Sequence, residues 1–314
     1  MARLVALTGA TGFVGSHAAR VFAESGWNVR VLARRLPSNA LLASVDPELI
    51  VGDLDDAPAL QALVRGADVV VHAAGAVRAL DAVGFYRANA QGAASIVAAV
   101  QCDAPQTRLI LVSSLSAREP TLSDYVGSKR AGEVEVERAG TALDWSIIRP
   151  PAVYGPGDRE TLAYFRAVSR GLAPRPAIAA ARLSLIHVED LAEALALAVE
   201  RAPAGAVYEI DDGREGGYGY RDMQQSAAAA LGRKALSVAV PRPLMAGLAR
   251  LNQLGHRLGG PVQILTPGKV GEIFHPDWTV HDRRLAGAIG FTARYDLASG
   301  FRDTVLWYRR REWL

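Results

Sequence analysis

Tyr125 and Lys129 stand four residues apart in the run Tyr125-Val126-Gly127-Ser128-Lys129. On a helix that spacing puts both side chains on one face. An ammonium beside a phenol favours the phenolate and lowers its pKa, which makes the tyrosine a usable proton donor and acceptor near neutral pH. The chain has nine tyrosines but only three lysines, Lys129, Lys234 and Lys269, the other basic residues being arginine. A lysine is thus rare enough here for its position to carry information. Upstream, Val112-Ser113-Ser114-Leu115-Ser116 follows an apolar run. A hydroxyl there can hold a substrate oxygen toward the tyrosine. Ser114 is the first choice, with Ser113 and Ser116 as alternates.

A second constellation is built for phosphate. Thr8-Gly9-Ala10-Thr11-Gly12-Phe13-Val14-Gly15 reads G-x-x-G-x-x-G between an apolar run and a helical pattern. Glycine is needed where the chain turns tightly and where backbone approaches a pyrophosphate, and the helix N-terminus offers free N–H groups. Thr8, Gly9, Thr11, Gly12, Phe13, Val14 and Gly15 are therefore expected to hold a dinucleotide. The next strand ends in Arg34-Arg35 with no acidic residue beside them. An acid there would bind the ribose hydroxyl of NAD, whereas arginine accommodates a 2′-phosphate, so NADP(H) is the expected cofactor. Gly52-Asp53-Leu54 ends the third strand, where Asp53 can bond the adenine amino group and Leu54 can cover the ring. His72-Ala73-Ala74-Gly75 ends the fourth; Ala73, Ala74 and Gly75 are small enough for backbone to approach the cofactor ribose, and His72 reads as structural.

These residues need a frame that brings strand ends together. Short apolar runs at Leu4–Thr8, Asn28–Ala33, 49–51, 68–72, 108–113 and Trp145–Arg149 alternate with helical patterns at 13–25, Ala57–Val64, 84–100 and 123–139. Such alternation indicates a parallel sheet covered on both faces. The expected fold class is α/β, a doubly wound parallel Rossmann sheet with a smaller C-terminal substrate-binding lobe. Residues 1–152 would form the NADP-binding domain, with segments near 184–210 returning to it, and 153–314 mainly the lobe. In the lobe, 213–219 reads as a flexible loop.

Composition sets the outer limits. A net charge of +3 and a pI near 9.1 do not by themselves argue for nucleic acid. One cysteine, Cys102, excludes an internal disulfide framework and a Cys-rich zinc site, and no metal is expected. No segment approaches the roughly 20 apolar residues of a membrane span, and the N-terminus lacks the pattern of a signal peptide. A soluble protein of the cytoplasm is the expectation, with a peripheral place at the inner face of the membrane as the alternative.

Taken together, TGATGFVGSH, GDL, HAAG, the Ser113-Ser114 pair, YVGSK, RPPAVYGPGD and IHVEDLA resemble an extended short-chain dehydrogenase/reductase. That group includes NAD-dependent epimerase/dehydratases, dihydroflavonol reductases and 3β-hydroxysteroid dehydrogenases. The resemblance covers nearly the whole chain. It implies Ser114, Tyr125 and Lys129 as the catalytic triad, with Lys129 also on the nicotinamide ribose, and it puts the stretch from Pro150 to Val153 beside the nicotinamide. Asn89 falls where the family often has an asparagine, in a binding or a packing role. The chain departs from nucleotide-sugar enzymes in its short Ser114–Tyr125 connection, in the lack of an acid beside the serine and in Leu115 after the serine pair. These departures lean toward simple ketone–alcohol chemistry.

Residues 265–280, LTPGKVGEIFHPDWTV, resemble bacterial reductases encoded with sphingolipid synthesis. That likeness implies the 3-oxo group of a sphingoid base or ceramide as substrate, against a nucleotide sugar, a steroid or a flavonoid as alternatives. In 243–259, Leu244, Leu248, Leu251, Leu254 and Leu258 share one helical face. That face would cover its own core, line an acyl-chain groove or touch a membrane. The tail Trp307–Trp313 mixes aromatics with arginine, which suits either a solvated end or an anionic membrane interface.

Overall fold

The computed structural model describes residues 3–35, 39–178, 180–257 and 265–314. Six strands in chain order, β1 (Leu4–Thr8), β2 (Asn28–Ala33), β3 (Glu48–Val51), β4 (Val69–His72), β5 (Arg108–Val112) and β6 (Trp145–Arg149), join a seventh, Ala206–Glu209. All pair in parallel, in the order β3-β2-β1-β4-β5-β6 followed by Ala206–Glu209. The strands are apolar runs because both faces are covered. On one face the helix α1 (Phe13–Glu24) buries Ala18, Ala19 and Phe22 against Leu191, Leu195 and Ala198 of the helix Val188–Arg201. On the other, Leu60, Leu63, Ile96, Val97 and Val136 pack on Val70, Leu109 and Ile147. The chain reverses direction across the sheet between β1 and β4, which leaves a crevice at the carboxyl ends of those strands, the usual ligand position in such sheets.

A third core lies outside the sheet. Tyr154, Phe165, Phe301 and Tyr308 are fully buried and meet edge to face, Tyr154 with Phe301 at 5.1 Å and Phe165 with Phe301 at 5.0 Å between centroids. Gly300 permits this contact: a Cβ there would lie 2.2 Å from the Tyr154 hydroxyl.

Three regions depart from the sequence reading. The span 84–100 is not one helix but Ala82–Tyr86, a π turn at Arg87–Gln91, and Gly92–Asp103. The wider turn places Asn89 inward, where its amide both donates to the Ala76 carbonyl and accepts from the Ala76 N–H, at 3.1 and 2.8 Å. The glycine-rich stretch 213–219 is tied down rather than loose: Tyr218–Gly219 pairs with Arg182–Leu183, and the Arg182 guanidinium donates to the Gly216 and Gly217 carbonyls.

The third region is the leucine-bearing helix, which spans Arg242–Arg257. Its inward residue is Ala249, fully buried, while Leu244, Leu248, Leu251 and Leu254 are exposed. The leucine face therefore neither covers a core nor lines the cavity; Leu258 lies outside the described residues. The aromatic tail does the reverse and folds back. Trp313 stacks on Tyr308 at 5.7 Å, Trp307 meets Trp313 edge to face, and Arg166 donates to the Trp313 carbonyl.

Candidate active site

The glycine turn is shaped as a cradle. Gly9 has φ +74°, and a Cβ on it would lie 2.5 Å from Ala74 N, so the end of β1 passes directly against the end of β4. A Cβ on Gly15 would lie 2.1 Å from the Gly9 carbonyl oxygen. Gly12 N donates to the Gly9 carbonyl at 2.9 Å, and α1 then starts with no side-chain cap and no acid in its first turn. Its N–H groups and positive dipole end are left for an anion. Gly9, Thr11, Gly12, Phe13, Val14, Gly15, Ala73 and Gly75 line one end of a cavity of 2240 Å³. The residues present thus fit a dinucleotide pyrophosphate.

Other expected cofactor residues sit elsewhere. Thr8 is buried behind the wall: its hydroxyl pairs with His72 Nδ1 at 2.7 Å and accepts from Ala74 N at 3.2 Å, locking the two strand ends together. Burial, with the Lys129 charge, pushes the His72 pKa down to about 3, so its ring is neutral and structural. Ala74 supplies that N–H and is not in the cavity wall. Arg34 and Arg35 are exposed just past β2 and form no ion pair among the described residues. Asp53 and Leu54 also lie off the cavity wall. Asp53 is exposed and accepts from Asp55 N at 2.9 Å, and Leu54 packs against Gly92.

At the ends of β5 and β6, and on the helix Asp124–Glu137, the catalytic candidates converge. Ser114, Tyr125, Lys129, Pro150 and Val153 all line the cavity. Ser114 opens the short turn Leu115–Arg118, its Oγ 2.8 Å from Ser116 Oγ. Ser113 also borders the cavity, but its hydroxyl already donates to Glu133 at 2.5 Å. Glu133 is fully buried and also accepts from Arg149 and Arg130, so it binds the ends of β5 and β6 to the tyrosine helix. Lys129 Nζ donates to the Val112 carbonyl at 3.0 Å. Burial lowers its pKa to about 8 against the pull of Glu133. Ser128 accepts from Asn89 at 2.8 Å, which assigns Asn89 to holding the Gly75–Ala76 backbone beside this helix.

The expectation that lysine lowers the tyrosine pKa needs a correction. Burial dominates and holds the Tyr125 phenol above its ordinary value; Lys269 and a hydrogen bond with Ser114 pull it down, while Glu272 and Glu160 add to the rise. The phenol is therefore protonated at neutral pH, as a proton donor must be. The cation over the ring is Lys269, its Nζ 5.9 Å from the centroid.

Lys269 comes from the opposite wall, the short helix Pro267–Ile273. Its ammonium donates to Glu272 at 2.7 Å, and Glu272 accepts from Ser123 at 2.7 Å. Ser123 is the N-cap of the tyrosine helix, so the two walls are joined at its first turn. Gly268 makes the approach possible, since a Cβ there would lie 2.7 Å from Ser123 Cβ. Burial opposes the Lys269 charge, but Glu272 outweighs it and raises the pKa above the ordinary value. Reading the sequence missed Lys269 and Glu133 as site residues. Only the rarity of lysine pointed to the first, and nothing local to the second.

Among the described residues, five arginines line the cavity. Arg20 pairs with Glu24 and Glu189, Arg78 with Glu160, and Arg294 with Glu193; Arg159 lies over Trp313 and Arg311 over Trp307. Each is thus already matched within the chain. Val77, Leu80, Phe85, Trp278 and Trp307 supply apolar surface between them.

Comparison with known proteins adds three relatives. A model of the NAD dependent epimerase/dehydratase family matches residues 5–211. A ceramide reductase of Caulobacter vibrioides (strain NA1000 / CB15N) is 39% identical over 311 residues, covering 99% of this chain and 96% of that protein. A UDP-glucose 4-epimerase of Vibrio cholerae is 27% identical over 339 residues, covering 97% and 95%. The solved structure of MoeE5 in complex with UDP-glucuronic acid and NAD is similar with a TM-score of 0.75 at 23% identity, covering 98% and 99%.

Proposed function

The chain belongs to the NAD dependent epimerase/dehydratase family, and from that premise we propose that it is an NADPH-dependent reductase of a hydrophobic ketone, the 3-oxo group of a sphingoid base or ceramide. In this reading residues 1–152 hold the cofactor, joined by 184–210, and 153–314 mainly form the substrate lobe. The glycine turn and the first turn of α1 would hold the pyrophosphate, Arg34 with Arg35 the 2′-phosphate, and Lys129 the nicotinamide ribose. A bound nicotinamide supplies the hydride. Ser114 holds the ketone oxygen by a hydrogen bond from its hydroxyl. Tyr125 delivers its phenolic proton to that oxygen, and Lys129 and Lys269 stabilise the phenolate left behind.

One observation carries the choice of substrate class. Among the described residues, the arginines of the cavity face carboxylates or aromatic rings of the chain itself, with no free cluster of them aimed at a nucleotide diphosphate. The apolar side chains between them suit an acyl chain, and the full-length likeness to a ceramide reductase supports the same class.

Consumption of NADPH by the purified protein on 3-oxo lipids of increasing chain length tests this. Each acyl CH₂ removed from water contributes about 0.8 kcal/mol, so kcat/KM should climb with length until the cavity is filled. Turnover of UDP- or TDP-sugars, with no length-dependent use of NADPH on lipid ketones, would replace this reading with nucleotide-sugar epimerisation.

A further inference from the structure

The helix Arg242–Arg257 turns its apolar side outward. Leu244, Leu248, Leu251 and Leu254 are between 47% and 65% exposed, although their spacing puts them on one face. The strand Leu236–Val240 leads into this helix through Pro241 and exposes Leu236 and Val238. Leu172, also exposed, lies opposite Leu236 in the parallel pair of strands. Scattered exposed leucines need no explanation, but an aligned set on adjoining elements marks an interaction surface.

The helix is held from its other side. Ala249 is fully buried, the helix packs on Pro267–Ile273, and Asn252 donates to the Leu265 carbonyl at 3.3 Å. Gln253 of this helix lines the cavity. One element thus presents leucines to the outside and borders the substrate space.

Charge identifies what covers the leucines. From Arg233 to Gly271 the sequence contains no aspartate or glutamate, and it carries Arg233, Lys234, Arg242, Arg250, Arg257 and Lys269. Arg233, Lys234, Arg242 and Arg250 are exposed. A second copy of the chain laid on this face would oppose cation to cation with no acid to pair them. A leucine stripe flanked by arginines is instead the composition of helices that lie in the interface of an anionic bilayer, with long basic side chains reaching the headgroups.

We infer that the helix Arg242–Arg257 and the strand before it are the face by which the protein docks on an anionic phospholipid bilayer, with the wall of the cavity beside that contact. Of the two segments whose composition suits a membrane, the aromatic tail folds onto the protein's own core, whereas the leucines of this helix stay exposed. Docking does not depend on which ketone is reduced, so its test reads binding and not turnover.

The experiment is flotation of the full-length protein with vesicles of phosphatidylglycerol and phosphatidylcholine in equal parts, and with phosphatidylcholine alone. The protein should float with the anionic vesicles, weakly with the neutral ones, and less as salt is raised. Leu248→Glu with Leu251→Glu should lower the bound fraction about tenfold or more while the circular dichroism and thermal midpoint stay those of the native chain. Arg242→Glu with Arg250→Glu, which leaves the leucines in place, should lower binding to the anionic vesicles selectively. Absence of flotation with either vesicle overturns the inference, as does binding that neither double variant changes. A native dimer in sedimentation that Leu248→Glu with Leu251→Glu converts to monomer would give the face to a second copy.

Discussion

On the sheet side of the cavity, Glu133 is fully buried and takes bonds from Ser113, Arg130 and Arg149. On the lobe side, Glu272 links Lys269 to Ser123 from a helix of seven residues. Both carboxylates sit beneath a cation near the reacting groups, but they are embedded differently. Glu133 fastens β5, β6 and the tyrosine helix into one unit, and Ser114, Tyr125 and Lys129 stand on that unit. Glu272 fastens a separate wall onto its edge. The residues proposed for proton transfer can therefore stay fixed while the facing wall changes, which is a physical basis for one fold serving many substrates.

The largest effect that can break this contrast is on stability. Glu133→Ala leaves the Arg149 guanidinium and the buried Ser113 hydroxyl without their partner, while Arg130 keeps Glu137, and should lower the unfolding free energy by about 3–5 kcal/mol. Glu272→Ala, whose lysine partner is more exposed, should cost distinctly less. Urea unfolding of both variants measures the difference; equal losses would mean that the two walls are equally integral.

A smaller effect concerns the far end of the sheet. If the strand ends alone choose the cofactor, Arg34→Ala should weaken NADPH binding by about 2–3 kcal/mol, the scale of a charge-assisted hydrogen bond, and leave NADH binding nearly unchanged. Titration calorimetry with each cofactor reads this directly. Equal affinity of the native protein for the two would assign the choice to some other part of the site.

The smallest expected effect crosses from one wall to the other. Lys269 pulls the Tyr125 pKa down against burial. Removing that cation in Lys269→Met raises the phenol further. The proposed reduction requires the protonated tyrosine, so on that reading the alkaline limb of the kcat profile should move to higher pH, and Lys269→Arg should restore it. An unmoved limb would confine Lys269 to a role in holding the wall.

How much of this was legible follows the same division. Strands buried on both faces announce themselves as apolar runs, and β1, β2, β5 and β6 fall at or within a residue of the expected places. The glycine turn and the Tyr125–Lys129 spacing are local and equally readable. Glu133 is not, because nothing nearby marks an acid on a helix as buried; Arg149 makes it so from 16 residues away. Lys269 and Tyr125 meet only because Gly268 lets one helix touch another. Asn89 depends on a π turn that periodicity cannot distinguish from plain helix. The leucine helix shows a further limit: a stripe reveals two faces, but not which one meets the protein. Arg34, Arg35, Asp53 and Leu54 stand just past strand ends, a position that fixes their neighbourhood in the sheet and names no partner for them.

Turnover of a long-chain 3-oxo ceramide with NADPH, measured for the native protein and for Tyr125→Phe, bears most directly on the whole account. The native protein should consume NADPH and form the corresponding alcohol. Tyr125→Phe should lose about 100-fold or more in kcat, the scale of a positioned general acid, while still binding NADPH with native affinity. Near-native turnover in that variant, or a native protein that leaves the lipid ketone untouched, would contradict it.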